Sequence, residues 1–312
     1  MKLSTLRYLV AFADERSFSR AAERCHISQP TLSIALQNLE LQLGVTLIER
    51  AKGHVALTDL GQQVVAQARK ALDEAHRVEM VAQTGKNPLV GEFRLGVIHT
   101  IGPYLLPELI ASMRQTAPEL TLYIEENMTA LQADYLKYGT VDAAIIALPF
   151  DIPGIETRPL YDEPFLVIVP PQHPWAKREM IAADEVRGDD VLVLKAGNCF
   201  REQVLDACPD ISHAEGSMLQ GHSIETIRCM VASGYGISVL PASAMSGPYR
   251  SDMVCAIPFE PPEPARRVAL AWRRGFSRPE AIEAIVAAVK GMNNPIYRLI
   301  ETRVDKGDQV PT

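Results

Sequence analysis

From Thr58 to about Gln83 the chain runs without a proline, and Val64, Ala68, Ala71, Ala75, Val78 and Ala82 recur at alternating steps of four and three. That spacing is the seam of a coiled coil. Roughly 26 helical residues reach about 40 Å, which is longer than a small domain needs. The run therefore divides the chain into a short N-terminal part and a long C-terminal one. Gln62, Arg69, Lys70, Asp73, Glu74 and Arg77 on the outer positions are polar or charged. A linker shared by two chains fits them better than one long helix buried in a core. Gly85 and Asn87-Pro88 end the run.

Ahead of it, Leu6, Leu9, Val10 and Ala13 give an amphipathic helix ending near Arg16. Ser17 or Ser19 can cap a second helix through Arg24. Beyond the turn Cys25-His26-Ile27, Ser28 caps a third with Pro30 in its first turn. Leu32, Leu36, Leu39 and Leu43 are expected to bury one face of that helix, and Gly44 ends it. Gln29, Thr31, Ser33 and Gln37 are left on the outer face, which is what a helix-turn-helix needs to read base edges in a major groove. A small helical bundle carries the same periodicity. Charge leans the same way. Residues 1 to 58 carry seven Lys or Arg against five acids, a net of +2, in a chain whose total is −7.

After Gly91, short apolar runs (FRLGVI, TLYIEE, VDAAIIAL, FLVIVP, VLVL) alternate with helical stretches, the mark of an α/β domain with covered sheets. Pro149 to Pro164 reads as a crossing into a second lobe and Arg266 to Arg274 as the return. Ligands of such lobes gather at the carboxyl ends of strands, where Thr100 and Thr129 both fall. A threonine there is more often a cap or turn residue than a ligand.

Lys195 to Cys208, KAGNCFREQVLDAC, holds two cysteines nine positions apart. Phe200, Val204 and Leu205 give a helix with Cys199 and Arg201 in its first turn, stopped by Pro209. Nine helical steps part the two Cα atoms by about 13 Å, and a disulfide spans at most about 7 Å. The pair cannot bond while helical. A helix N-terminus and a nearby guanidinium favour the thiolate, which makes Cys199 the better nucleophile and Cys208 a candidate resolving thiol. Taken alone, such a pair is more often two ordinary half-buried thiols. Cys25, Cys229 and Cys255 lack a comparable setting and read as structural thiols.

SFSRAAERCHISQPTLSIALQNLELQLGVTLIER, followed by a short wing and LTDLGQQVV, resembles the winged helix-turn-helix of LysR-type transcriptional regulators. The resemblance implies that residues 1–58 form the DNA-binding domain and 59–87 the dimerising linker helix. It implies a periplasmic-binding-protein-like effector domain over 88–303, with one lobe at 91–163 and 266–303 and the other at 164–265. The tail 304–312 is polar and expected to be disordered. Carried over by position, Gln29, Pro30, Thr31, Ser33 and Gln37 face bases, while Arg50, Lys52 and His54 lie near phosphates. TIGPYLLP, GNCFREQ with Cys208, and HSIETIRCMVASGYGISVLPA extend the likeness to the hydrogen-peroxide-sensing members of that family. What this implies is a peroxidatic Cys199, a Cys199–Cys208 disulfide, and a peroxide site of Thr100, Thr129, Asn198, Arg201 and Arg266. Asn198 and Met218 stand where some members have histidine; an amide donates and accepts hydrogen bonds but cannot shuttle a proton. The partners implied are an interrupted palindrome of double-stranded DNA, hydrogen peroxide, three further copies of the chain in a tetramer, and RNA polymerase.

Five cysteines, no signal-type apolar run and no membrane-spanning run set a cytoplasmic expectation, in which a paired thiol is redox-active rather than structural. No metal-ligand spacing and no cofactor fingerprint is present, so neither a metal nor a cofactor is expected. Two rivals stand beside this reading: a LysR-type sensor of a small metabolite with incidental cysteines, and a thiol peroxidase. The second leaves the DNA-reading head without a purpose.

Overall fold

The computed structural model describes residues 1–51, 54–84, 87–188, 190–214, 220–292 and 294–300. They form two compact units, one built on Met1–Asn87 and one on Pro88–Lys137 with Val141 onward.

The first unit contains α1 (Leu3–Glu15), α2 (Phe18–Arg24), α3 (Gln29–Leu43), the antiparallel wing strands β1 (Ile48–Ala51) and β2 (His54–Leu57), and α4 (Asp59–Thr84). Each start has a local cause. The Ser17 hydroxyl accepts the Arg20 N–H, and that of Ser28 accepts the Thr31 N–H. Thr58 Oγ1 does the same for the Gly61 N–H at 2.8 Å. Gly44 ends α3 in the left-handed region at φ +69°. Leu6, Leu9, Phe12, Ala21, Ala22, Leu32, Leu36 and Leu39 form the core.

One expectation fails here, and the linker seam proves to be partly used within the head itself. Leu43 is 41% exposed, because the chain turns at Gly44 before that position meets the core. The seam of α4 is also not free along its length: Val65 and Ala68 are buried in the head's own core, with Val64, Ala71 and Leu72 packed against it. Val78, further along the seam, is 71% exposed. Ala82 lies outside the residues whose side chains are described.

The second unit continues with β3 (Gly91–Ile98), α5 (Gly102–Thr116), β4 (Leu120–Asn127), α6 (Thr129–Tyr138), β5 (Ala143–Ala147) and β6 (Ile155–Val169). Then come β7 (Val191–Leu194), α7 (Cys199–Ala207), β8 (Gln220–Gly221), α8 (Ile224–Ala232) and β9 (Ile237–Pro241). β10 (Cys255–Pro258), β11 (Ala265–Arg273), α9 (Pro279–Lys290) and β12 (Arg298–Leu299) complete it. The strand order is β4-β3-β5-β11-β6-β9-β7-β8, with β10 and β12 also paired to β6. β3 is parallel to β4 and β5, and β7 to β8 and β9, as the intervening helices require.

Two hydrophobic clusters define two lobes. One lies on β3, β5, β11, α5 and α9, the other on β7, β9, α7 and α8. The segment expected to cross between them, Pro149 to Pro164, is mostly strand: β6 pairs with β11 from Ile155 to Pro164 and with β9 from Phe165 to Ile168. One continuous strand thus changes partners within a single residue step. Glu163 and Arg266 are opposed one residue before that step.

Candidate functional site

The site is built where loops of both lobes meet α7. Gly197 adopts φ +96°, a left-handed conformation that glycine takes without penalty, and this turns the chain into the helix. A Cβ at Gly197 would lie 3.8 Å from Met128 Sδ, so the loop before Cys199 lies beside the end of β4. Asn198 is the N-cap, yet its side chain does not cap; Nδ2 donates to the Lys195 carbonyl at 3.0 Å.

The two thiols point into different surroundings. Cys199, half-buried, packs against the cluster of the first lobe, while Cys208 is fully buried in that of the second. Phe200 and Val204 anchor the helix between them, with Phe200 edge-on to Phe165 at 5.1 Å between centroids. Both cysteines are free. Since α7 is intact from Cys199 to Ala207 and Cys208 N–H donates to the Val204 carbonyl, the helical separation of about 13 Å applies. Burial pushes the Cys208 thiol up to about 12, which makes it a poor nucleophile in this state.

The cation at this end of the helix is Arg266. Its side chain has 0% exposure; Nη1 donates to Thr100 Oγ1 at 2.9 Å, Nη2 to the Thr100 carbonyl at 2.8 Å, and Nε to Glu163 Oε2 at 2.7 Å. Burial works against its charge, but Glu163, Tyr161 and Cys199 around it hold the guanidinium above its ordinary range. The Phe200 ring lies 5.2 Å from the guanidinium carbon. Because Thr100 Oγ1 already accepts from Arg266, its own hydrogen is free to be donated. Thr100 is 4% exposed at the end of β3. Arg201, the guanidinium that the sequence places beside Cys199, is committed elsewhere. Its Nη1 donates to the Leu194 carbonyl at 3.3 Å, and Nε lies 3.7 Å from Glu202.

Thr129 opens α6, half-buried, at the end of β4. That helix is pinned by Gln132, whose Nε2 donates to the carbonyls of Val97 at 3.0 Å and Glu125 at 2.6 Å. Gly96 leaves room for it: a Cβ there would meet Gln132 Oε1 at 2.1 Å. Met218 lies outside the described residues.

In the first unit, α2 and α3 are joined by a tight turn in which His26 has φ 55°. Gln29, Pro30, Thr31 and Gln37 are exposed on α3, and Ser33 is half-buried. The Thr31 hydroxyl lies 2.7 Å from that of Ser28, so it also serves the cap. The side chains of Arg50 and His54, and all of Lys52, lie outside the described residues.

Residues 3–62 match the model of the bacterial regulatory helix-turn-helix protein, lysR family, and residues 86–293 that of the LysR substrate binding domain. The chain is 38% identical over 291 residues to the DNA-binding transcriptional dual regulator OxyR of Escherichia coli (strain K12), covering 93% of this chain and 95% of that one. The chain belongs to the OxyR family of LysR-type regulators. A solved full-length OxyR from Pseudomonas aeruginosa, with one cysteine changed to aspartate, matches at a TM-score of 0.76 and 44% identity over 97% of this chain and 99% of that one. A cysteine-to-serine mutant of Corynebacterium glutamicum OxyR, described as H2O2-bound, matches at 0.63 and 32% over 93% and 91%.

Set in the OxyR fold, three groups that support the site from outside it had no signal in the sequence. Glu163 sits beside Pro164 in a run that looks like a connection, and only the β6–β11 register puts it opposite Arg266. The Ser243 N–H donates to Glu163 Oε1 at 2.9 Å, and Gln203 Nε2 donates to the Leu148 carbonyl at 3.0 Å, tying α7 to the first lobe. The other cysteines differ from the expectation in part. Cys25 and Cys255 are half-buried, the Cys25 thiol being pushed up by burial, whereas Cys229 is exposed on α8. Among the described residues no cluster fit for a metal ion occurs, and no helix is long and apolar enough to cross a membrane.

Proposed function

We propose that this OxyR-family chain regulates transcription in response to hydrogen peroxide, through Cys199. The thiolate attacks one peroxide oxygen, the O–O bond breaks, hydroxide leaves, and Cys199 becomes a sulfenic acid. The Cys208 thiol then attacks that sulfur; a disulfide forms and water leaves, so the two electrons taken from the thiols match those accepted by peroxide. The carrying observation is the Arg266–Thr100 pair, whose guanidinium lies close enough to Cys199 to interact with its charge. The Thr100 hydroxyl donates to the departing oxygen, and the guanidinium stabilises the charge that develops there. Thr129 and the Asn198 amide line the peroxide site, and Arg201 supports the loop through Leu194.

Disulfide closure requires α7 to unwind, because about 13 Å must shrink to about 7 Å or less. Phe200 and Val204 then leave the core of the second lobe. That rearrangement alters the surface through which effector domains (88–303) pair in a tetramer, and the linker (59–87) carries the change to reading heads (1–58) on an interrupted palindrome. Altered DNA contacts change the recruitment of RNA polymerase at oxidative-stress genes. Peptide mapping after one equivalent of peroxide tests the reading: a Cys199–Cys208 linked peptide supports it, and unmodified Cys199 contradicts it.

A further inference from the structure

The proposed peroxide site leans on one guanidinium, and the group that holds this guanidinium lies outside the site. Arg266 Nε donates to Glu163 Oε2, and its Nη2 lies 2.7 Å from the same oxygen. Glu163 is fully buried, and its remaining oxygen accepts the N–H of Ser243, in the tight turn Ala242–Met245 that follows β9. A buried carboxylate is tolerated when it is paired and hydrogen-bonded, as this one is on both oxygens. One side chain therefore ties β6 and β11, at the point where β6 changes lobes, to a turn of the second lobe.

Resting on the reading of Cys199 as the peroxide-reactive thiol, we propose that Glu163 is the positioning residue of this site. It fixes Arg266 so that Nη1 stays on the Thr100 hydroxyl and the hydrogen of that hydroxyl stays free for the oxygen that departs as hydroxide. Glu163 acts only through Arg266. Their opposition in the β6–β11 register sets the aim, and the Phe200 ring supports the guanidinium from another side. Glutamine has nearly the same volume but a single acceptor oxygen, so it can serve Arg266 or Ser243 and not both.

The test uses the reduced full chain as wild type, E163Q and E163D, and reads two rate constants at Cys199, one with hydrogen peroxide and one with iodoacetamide. Alkylation needs an accessible thiolate; peroxide reduction also needs a placed donor for the leaving oxygen. E163Q is expected to lose about tenfold or more with peroxide while iodoacetamide changes by less than about twofold, and E163D to fall between. Unchanged peroxide rates, or equal losses with both reagents, overturn the proposal, the second because Glu163 would then be structural only. If E163Q does not fold, the E163D ratio decides: a fall of about threefold supports the proposal and an unchanged ratio overturns it. Wild-type Cys199 that ignores peroxide would instead sink the reading beneath the proposal, an outcome visible before any variant is compared.

Discussion

Val204→Ala isolates the cost of opening α7. Val204 is 4% exposed in the core of the second lobe, on the helix that must unwind for Cys199 to meet Cys208. Deleting two methyl groups removes about 1.6 kcal/mol of transfer free energy, and the cavity left behind brings the loss to about 2–3 kcal/mol. Alanine's greater helix propensity returns about 0.6 kcal/mol. The reduced packing is therefore weakened by about 1.5–2.5 kcal/mol, a loss the oxidised state does not share if Val204 is out of that core. For a two-electron couple, where 30 mV is about 1.4 kcal/mol, the disulfide becomes harder to reduce by roughly 30–55 mV. Equilibration in glutathione buffers of graded ratio, followed by acid quench and mass-shift thiol trapping, reads the midpoint directly. A midpoint that stays put, or moves toward easier reduction, would refute the claim that α7 opens around Val204.

Three further outcomes follow from the same geometry. In Cys208→Ser, peroxide should leave Cys199 as a sulfenic acid that dimedone captures, since the resolving thiol is gone; absence of the adduct contradicts the order of attack. The Cys208 thiol is pushed up to about 12 by burial, so it disfavours ionisation in the folded chain. Its contribution to stability is complete below the unfolded thiol range near about 8.5, and is lost as pH rises toward about 12. Denaturant titrations from pH 8 to 11 should show stability falling with pH in wild type and a shallower fall in Cys208→Ala. Ser28→Ala removes the cap of α3 and should cost the head about 1 kcal/mol, lowering its melting temperature and its DNA affinity; unchanged melting would show the cap to be dispensable.

Much of this architecture is legible in the chain because it is written locally. Ser17, Ser28, Gly44 and Pro209 mark helix boundaries by chemistry that acts within a turn, and the spacing of Leu32, Leu36 and Leu39 fixes a buried face. Legibility ends where a role depends on tertiary register. Leu43 keeps the helical period yet is exposed, because the chain turns immediately after it. Val64 and Ala68 keep a coiled-coil step while packing on or within the head's own core. Arg201 adjoins Cys199 in sequence, but the guanidinium whose charge Cys199 supports belongs to Arg266, delivered by a strand more than sixty residues further on. Glu163 is silent for the same reason: a glutamate before a proline looks like a loop until β6 is seen to run through both lobes.

In the mechanism proposed above, oxidation of Cys199 changes how the chain grips DNA. Hydroxyl-radical footprinting of one promoter fragment carrying a candidate operator, with the full chain before and after stoichiometric peroxide and with Cys199→Ser as control, measures it most directly. The protected positions are expected to shift in the wild-type chain on oxidation and to return with reductant, while the variant binds with the reduced pattern throughout. Identical footprints for reduced and oxidised wild type, or the same shift in Cys199→Ser, would contradict it.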